Sequence, residues 1–468
     1  MVWAGWRMPW RALGCALLAV VVAGCDVLPT YKSPIFPFAD SFSPKPNSAP
    51  VLLSNEAWWR KFNDPVLNAL IEEALAGNLD LALARERVLQ AQAQAVTVPS
   101  QLTVNGSLRA GAGGSRTTST REEGEADLSL GWLFDPWGGR RAQVLAAEGQ
   151  VEVAAAELDA ARLLVLSTVA TAYIDLRFFQ RSLHLRQGEL SSRQQTLGLI
   201  RDLQQGNAAT RLEMVRAEAL VAQSRAQIPE LRTAVRAQEN RLAVLLGRTP
   251  GRAVPALNGS RKVQPRASMP ADVGIPADLL RNRPDIRITE RLYYVALAEI
   301  GTEKALLYPG LSLSGELSLS RIGGVSGTDY FFGPSLRLPA LPNGPQHARV
   351  RVRESQARQA HTTWQSSVLQ AIEQAESALV RYAGSQSSVG AAQETVRLYR
   401  QSVSLTRELL GRDGATIRDL LEDEQSVSQA NILLAQTLRQ AAQDFVTLNT
   451  SLGSGHAYAG KLNVSVAE

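Results

Sequence analysis

Small and apolar residues recur at every seventh position along one long polar stretch of the chain. One step of four residues interrupts the series, which comprises Val144, Val151, Leu158, Val165, Ala172, Leu176, Leu183, Leu190 and Leu197. Seven-residue spacing is typical of coiled coils, and a four-residue step is a stutter that unwinds the supercoil locally. The pattern predicts one helix over 139–205, about 100 Å long at 1.5 Å per residue. A globular domain has no room for such a helix.

The same series returns 206 positions later with the same stutter. Its members are Val350, Ala357, Trp364, Ala371, Ala378, Tyr382, Val389, Val396 and Val403. The segment Asn78-Leu79-Asp80-Leu81 also returns, with one residue inserted, as Asn282-Arg283-Pro284-Asp285-Ile286. Because two unrelated bundles would not share a register shift, the sequence predicts a tandem repeat with a second long helix over 346–410.

Two segments switch from helical spacing to strict alternation, which predicts strand hairpins over 102–134 and 311–338. In the first, Leu102, Val104 and Leu108 alternate with polar residues, and the Gly/Ser/Thr-rich run Gly111 to Gly124 is expected to be the connecting loop. In the second, Gly333-Pro334 is expected to interrupt the last strand.

Each repeat thus has the order helix, strand hairpin, long helix, turn, returning helix. We expect a signal peptide at 1–24, an extended N-terminal segment at 25–63, repeat 1 at 64–247, a connector at 248–276, repeat 2 at 277–453 and a tail at 454–468. The returning helices are expected over 210–246 and 417–448, with Pro229 breaking the first after Gln227. The fold class is mainly α with a membrane β-barrel.

The N-terminus predicts export. Arg7 and Arg11 precede the apolar run Ala12 to Val22, which is too short for an ordinary transmembrane helix and ends in small residues. Val22-Ala23-Gly24-Cys25 resembles the bacterial lipobox, which makes Cys25 the acylated lipid anchor. Cys15 is removed with the signal peptide, so no internal disulfide is expected. Asp26, which follows Cys25, resembles a signal for inner-membrane retention in enteric bacteria, so either another sorting rule or barrel assembly must override it.

A tilted strand of about 9 to 11 residues spans a membrane, and an apolar row alternating with a polar row is the barrel pattern. Four strands cannot close a membrane barrel, and an open edge in lipid would leave backbone groups unsatisfied. The chain must therefore oligomerise through its strands. Two copies would give eight strands and three would give twelve.

Charge and composition exclude other classes. The 468 residues carry a formal charge of +5 from acids and bases mixed along the helices, so no nucleic-acid partner is expected. His184, His347, His361 and His456 are scattered, so neither a metal site nor a catalytic constellation is expected, and we predict neither an enzyme nor a cofactor.

Several motifs together carry a family resemblance. They are Trp58-Trp59-Arg60-Lys61-Phe62-Asn63-Asp64-Pro65-Val66-Leu67, Leu70 to Leu75, Arg216-Ala217-Glu218-Ala219, Leu242 to Gly247, Ile275 to Leu280 and Gly333-Pro334-Ser335-Leu336. The chain resembles TolC-family outer-membrane efflux lipoproteins of the NodT/OprM-like branch. The resemblance implies a homotrimer with a 12-stranded barrel and a coiled-coil tunnel. It also implies a periplasmic adaptor and an inner-membrane pump of the resistance-nodulation-division class as partners.

The resemblance also assigns roles near the helix turns. Residues implied to line a periplasmic aperture are Asp419, Glu422, Asp423 and Glu213. Residues implied to contact the adaptor are Gly206, Asn207, Ala208, Gly411, Gly414 and Thr416. Acids three positions apart share a helix face, so threefold symmetry would stack carboxylate rings that favour cations. A solvated acidic helix face is the alternative.

The expected function is a passive outer-membrane channel of a tripartite efflux system, closed at its periplasmic end until it docks. Alternatives are the duct of a type I protein secretion system or a periplasmic coiled-coil scaffold. One departure from the family pattern concerns the stretch from Asp80 to Pro99, which is five residues shorter than its counterpart from Asp285 to Pro309, so the first ascending helix is expected to be short.

Overall fold

The computed structural model describes residues 57–115, 118–252, 263–266, 283–410 and 414–455, with the single positions Tyr31, Pro34, Val254, Leu257 and Arg412. The chain divides into two compact units. The sheet unit comprises Arg87–Ala154 and Ile288–Ser366 with Tyr31 and Pro34. The helical unit comprises the described parts of Pro37–Glu86, Ala155–Arg287 and Ser367–Glu468. The predicted signal peptide, Cys25, Gly411, and most of the predicted connector and tail lie outside the described residues.

The elements follow one another in the order helices, hairpin, helices, twice over. They are a 3₁₀ helix Trp58–Phe62, α1 Pro65–Gly77, α2 Leu79–Val96, β1 Leu102–Ser115, β2 Thr118–Phe134, α3 Gly139–Gln205, α4 Arg211–Leu245, α5 Pro284–Ala305, β3 Gly310–Ile322, β4 Val325–Arg337, α6 Gly344–Leu410 and α7 Ile417–Ser451. The long helices α3 and α6 have 67 residues each, and the returning helices α4 and α7 have 35 each. Helix α2, with 18 residues, is shorter than α5, with 22.

The four strands form one antiparallel sheet in the order β1-β2-β3-β4. The expectation of a loop over Gly111 to Gly124 is wrong, because the β1/β2 ladder continues from Gly111↔Glu123 to Ser115↔Thr118. The composition of this run resembles a loop, but the ladder is formed by backbone hydrogen bonds. Every residue other than proline has both a backbone donor and a backbone acceptor, so glycine and serine can pair as well.

Strand β4 is likewise continuous through Gly333 and Pro334, and Pro334 pairs with Leu313. The expected interruption is therefore wrong. Strand β4 has a single neighbour in the sheet, so half of its N–H groups point away from the ladder, and proline at such a position costs no hydrogen bond.

The expected break at Pro229 is also wrong. Helix α4 runs through it from Arg211 to Leu245. The ring removes one helical hydrogen bond, but Ser224 and Ile228, five residues and one residue before it, are buried. Tertiary packing of this face holds the helix together across the missing bond.

The described end of the predicted extended segment 25–63 is a buried 3₁₀ helix rather than extended chain. Its Trp58 and Phe62 rings lie 6.3 and 5.1 Å from the ring of Phe445 in α7, centroid to centroid. Asp64, which follows, caps α1 and accepts a 2.5 Å hydrogen bond from the Tyr173 hydroxyl of α3. Aromatic burial thus joins the beginning and the end of the helical unit.

Two glycine turns end the returning helices in the same way. Gly247 and Gly453 both have φ +70°, a conformation that favours glycine. A Cβ on Gly247 would lie 2.2 Å from the carbonyl oxygen of Gly77, and no side chain fits there. Beside these turns, Asn78 donates to the carbonyl of Leu245 (2.8 Å) and Arg283 donates to that of Ser451 (2.6 Å).

Candidate functional site

The sheet has one apolar face, which the strand register builds. Partners in antiparallel pairs point to the same side, so Leu102, Trp132 and Leu313 form one row across three strands. The face comprises Leu102, Val104 and Leu108 of β1, Leu128, Leu130 and Trp132 of β2, Leu313, Leu317 and Leu319 of β3, and Tyr330, Phe332 and Leu336 of β4. Leu108 is 83% exposed and Tyr330 is 84% exposed. None of the elements that the structure describes covers this face, which marks a surface for lipid or for another chain.

The opposite face is polar. It comprises Thr103, Asn105, Ser107, Asp127, Ser129, Ser312, Ser314, Glu316, Ser318, Asp329 and Ser335. The Ser107 hydroxyl donates to the Asp127 carboxylate at 3.0 Å, and Arg109 lies 3.7 Å from Glu125. Phe331, opposite Glu316, is an aromatic exception. One side of the sheet therefore suits water and the other suits hydrocarbon.

Strands β1 and β4 are the two edges of the described sheet. Each has hydrogen-bonding backbone groups on its outer side that no strand among the described residues pairs. With 14 and 13 residues, both exceed the length that a membrane strand needs. The sheet is incomplete by itself.

A rigid junction joins β2 to α3. The Asp135 carboxylate accepts hydrogen bonds from the backbone N–H groups of Gly139, Arg140 and Arg141 at 2.8, 2.9 and 3.1 Å, which caps the helix. Beside it, the Trp137 ring stacks on Tyr308 at 4.6 Å between centroids. The strand and the helix are therefore fixed to each other without a flexible linker.

The first helix tip joins α3 to α4. Asn207 has φ +56°, and the N–H of Ala208 donates to the carbonyl of Leu203 at 2.8 Å, which closes the turn after Gly206. Thr210 and Glu213 form a capping box: the N–H of Glu213 donates to the Thr210 hydroxyl (3.2 Å), and the N–H of Thr210 donates to the Glu213 carboxylate (2.7 Å).

The second tip, between α6 and α7, repeats this cap 206 positions later. The N–H of Asp419 donates to the Thr416 hydroxyl at 3.2 Å, and the N–H of Thr416 donates to the Asp419 carboxylate at 2.9 Å. The N–H of Gly414 donates to the carbonyl of Leu409 at 2.9 Å. The predicted contact residues Gly206, Asn207, Ala208, Gly414 and Thr416 thus lie in or beside two tight turns.

An apolar cluster packs the start of α7 against the first hairpin. Its buried members are Leu197 and Ile200 of α3, Ala217 and Val221 of α4, and Ile417 of α7. Leu410 of α6 and Leu421 of α7 pack against it from the second hairpin. The two tips are therefore held together within one chain.

The structure separates the four predicted aperture acids into different roles. Glu213 and Asp419 are capping residues. Hydrogen bonds from the backbone and side chain of Thr210 hold the pKa of Glu213 below its ordinary value. Hydrogen bonds from the side chain and backbone of Thr416 do the same for the pKa of Asp419. Both carboxyls are therefore charged at neutral pH.

Glu422 and Asp423 differ sharply despite being neighbours. Glu422 is exposed, and its carboxylate pairs with Arg418 at 2.7 Å. Asp423 is half-buried and accepts hydrogen bonds from the hydroxyls of Ser402 (2.9 Å) and Thr406 (2.6 Å) of α6. Asp423 therefore joins α7 to α6 and does not share the exposed surface of Asp419 and Glu422.

One groove brings Glu213 and Glu422 together between α4 and α7. Its volume is about 610 Å³, and Arg216 and Arg418 also line it. Asp419 does not line this groove. The charge in this groove is mixed, since Glu213 and Glu422 share it with the guanidinium groups of Arg216 and Arg418.

Sequence reasoning missed two buried carboxylates that join the helices. Glu424 of α7 accepts hydrogen bonds from Ser192 (3.2 Å) and Thr196 (3.1 Å) of α3 and from Arg407 (2.7 Å) of α6. Glu189 of α3 accepts hydrogen bonds from Arg186, Arg193, Ser224 and Ser428. Arg201 and Glu218 lie 206 positions before Arg407 and Glu424. This correspondence in the sequence could have indicated that Arg407 and Glu424 pair.

Neither metal nor membrane-helix features occur among the described residues. No three His, Cys, Asp or Glu side chains in that part of the chain lie close enough together to hold a metal ion. None of the helices described there is both long and apolar enough to cross a membrane.

Comparison with known proteins gives these features a context. The family model for outer membrane efflux protein matches residues 70–248 and 275–454. Nodulation protein T of Rhizobium leguminosarum bv. trifolii is 35% identical over 454 residues, which cover 94% of this chain and 96% of the relative. The pyoverdine export outer membrane protein OpmQ of Pseudomonas aeruginosa is 28% identical over 421 residues, covering 85% and 87%.

A solved structure agrees with the fold. The outer-membrane channel OprN superposes with a TM-score of 0.81 at 27% identity, covering 92% of this chain and 99% of that one. The described residues, mostly helical with one four-stranded sheet, thus have the fold of this channel over nearly all of its length. The chain belongs to the outer membrane efflux protein family and has the role of an outer-membrane efflux channel.

Proposed function

We propose that three copies of this chain form a 12-stranded barrel in the outer membrane, continued by a coiled-coil tunnel in the periplasm. The observation that carries the proposal is the sheet with one apolar face and two unpaired edges. Pairing of β4 with β1 of the next copy satisfies both edges and turns the apolar face to lipid. Two copies would close eight strands, and the likeness to the family supports three. Each chain is a tandem repeat, lipidated at Cys25.

The proposed duct is passive and serves a tripartite efflux system. A periplasmic adaptor contacts the turns at Gly206–Thr210 and Gly411–Thr416, and an inner-membrane pump of the resistance-nodulation-division class supplies the cargo. OpmQ is named for export of pyoverdine, which favours small molecules over the alternative of type I protein secretion. The two-faced sheet argues against a periplasmic scaffold.

Asp419 and Glu422 are the acids that we propose to ring the closed periplasmic end, with Glu213 beside Glu422 in the groove between α4 and α7. Three copies would stack the carboxylates on one axis, where they attract cations and repel one another. Asp423 is left out of this set because its carboxylate is occupied by α6.

Cysteine cross-linking tests the assembly. Asn105→Cys on β1 is combined in turn with Asp329→Cys, Phe331→Cys and Ser335→Cys on β4, all in otherwise unchanged protein. Edge pairing predicts that at least one combination gives a disulfide-linked ladder of two and three chains. A ladder that stops at two contradicts the trimer, and no ladder in any combination contradicts edge pairing. Ser129→Cys with Ser318→Cys, on inner strands, is the control that links no chains.

Bilayer recording tests the aperture. In Asp419→Asn with Glu422→Gln, the Asn side chain still accepts the capping hydrogen bond while both charges are lost. Cation preference is expected to fall relative to the native channel, because a charged ring is neutralised. Glu218→Gln, an exposed acid on α4, is the control. Unchanged conductance and ion preference in the double variant would contradict the aperture assignment without contradicting the proposed duct.

A further inference from the structure

A second groove of the helical unit contains a cluster of arginines. Its volume is about 640 Å³, and four guanidinium groups line it, one from α3, one from the segment 263–266 and two from α6. They are Arg181, Arg266, Arg397 and Arg400. None of the described residues that line this groove is acidic.

Within the described part of the chain, three of these four guanidinium charges have no acidic partner. Arg397 makes two hydrogen bonds to Glu394, at 2.8 and 2.5 Å, and is paired. Arg400 donates instead to the neutral amide oxygen of Asn431 at 2.9 Å, which orients the guanidinium and leaves its charge uncompensated. Arg181 and Arg266 have no acidic partner among the residues that the structure describes. Uncompensated charges at one groove create a local positive potential.

The floor of the groove is apolar. Val396 of α6 and Ala435 and Leu438 of α7 are buried beneath it, and Val263 is 62% exposed at its rim. Gln264 holds the rim in place, since its buried side-chain amide donates to the carbonyl of Ala435 at 2.8 Å. Charge at the walls and hydrocarbon below suit a ligand that is itself amphipathic.

We propose that this groove binds an organic anion with an apolar body, of the aryl or alkyl carboxylate or sulfonate class. The anionic head interacts with Arg181, Arg266 and Arg400, because guanidinium groups form forked, charge-assisted hydrogen bonds with such oxygens. Above the buried floor, the body packs against the exposed side chain of Val263 and removes its apolar surface from water. A bound anion would join α3, α6 and the segment 263–266, and it would stabilise the folded chain by mass action.

Titration calorimetry with 2-naphthalenesulfonate tests the site, using the full lipidated protein in detergent. One saturable site per chain is expected, with affinity that weakens as sodium chloride rises. Arg181→Gln with Arg266→Gln is expected to lose at least tenfold in affinity. Arg225→Gln with Arg232→Gln, two exposed arginines of α4, removes the same charge elsewhere and is expected to leave binding unchanged.

Two further probes fix the ligand class. Neutral 2-naphthalenemethanol and inorganic sulfate are both expected to bind at least tenfold more weakly. Equal binding of the alcohol would overturn the role of the arginines, and equal binding of sulfate would overturn the need for an apolar body. Absence of saturable binding to the native protein would overturn the site itself. If the double variant does not fold, Arg181→Lys tests the forked hydrogen bonds of the guanidinium group. It retains the positive charge but is expected to weaken binding.

Discussion

Two arginine–glutamate ion pairs lie 206 positions apart in the sequence and have different surroundings in the structure. Arg201 and Glu218 join α3 to α4 at 3.0 Å, and Arg407 and Glu424 join α6 to α7 at 2.7 Å. The Glu218 side chain is 45% exposed, whereas that of Glu424 is 8% exposed. Helix α3 causes the difference, because its Ser192 and Thr196 donate to Glu424.

The comparison shows that a local ion pair acquires its energetic weight from the third element packed against it. An exposed pair is screened by water and contributes little, whereas a buried carboxylate depends on every donor that it accepts from. Glu218 thus pairs with α3 within the first helical hairpin, whereas Glu424 joins the second helical hairpin to the first.

The largest effect is expected for Glu424→Ala. It leaves two hydroxyls of α3 and Arg407 without their acceptor, and we expect a loss of about 2 to 3 kcal/mol in the local opening free energy. Hydrogen exchange of the α7 amides measures this loss. Protection in α7 as high as in the native protein would show that α3 and α7 are held together by the apolar cluster alone.

A pH-dependent effect is expected at Glu189, whose counterpart 206 positions later is Thr395. Burial would raise the pKa of Glu189, but hydrogen bonds from Ser428 and Arg186 and the charge of Arg193 outweigh it and lower the pKa. A carboxyl with a lowered folded-state pKa contributes stability above its unfolded value near 4.5. That stability is lost as the pH falls through the folded-state pKa.

Thermal unfolding of native protein and Glu189→Gln between pH 7 and pH 3 checks this linkage. The native midpoint should exceed that of the variant at pH 7, and the gap should close in acid. A gap that stays constant over the whole range would mean that Glu189 contributes through packing and not through its charge.

An intermediate and equal effect is expected at the two caps. Thr210→Ala and Thr416→Ala each remove one N-cap hydroxyl, and each should cost about 1 kcal/mol of helix stability. Exchange of the first-turn amides in α4 and α7 should accelerate about fivefold in both variants. Because the caps are local, a large inequality would contradict the equivalence of the two tips.

The smallest effect is expected for Glu218→Ala. An exposed pair contributes at most about 0.5 kcal/mol, and salt reduces that contribution further. Exchange of the α4 amides in low and high salt measures it. A loss as large as that of Glu424→Ala would contradict the view that water screens this pair.

Elements were easier to predict than their limits. The stuttered heptads over 139–205 and 346–410 give both long helices within two residues, since helical periodicity is carried by every turn. The strand limits were missed at Gly111 and Pro334, where composition resembles a loop while backbone pairing continues. Pro229 was misjudged because propensity omits the packing of Ser224 and Ile228.

The candidate site was predictable only in part. The match to the family assigned Asp419, Glu422, Asp423 and Glu213 as one group, because spacing along a helix is visible in sequence. It could not show that Asp423 accepts hydrogen bonds from α6, since Ser402 lies 21 positions away. The arginine groove was also invisible, because Arg181 and Arg400 meet only after two helices pack.

The sequence by itself determined the long helices and the two-sided strands, because each is encoded by neighbours in the chain; the export segment and the repeat of 206 positions stay predictions. Only the tertiary structure decided that the carboxylate of Glu424 is buried while that of Glu218 is exposed, and that Asp423 joins α7 to α6. Those outcomes depend on contacts between different helices, from 21 positions apart for Ser402 with Asp423 to 228 positions apart for Thr196 with Glu424. Burial of this kind is a property of packed elements and not of any local pattern.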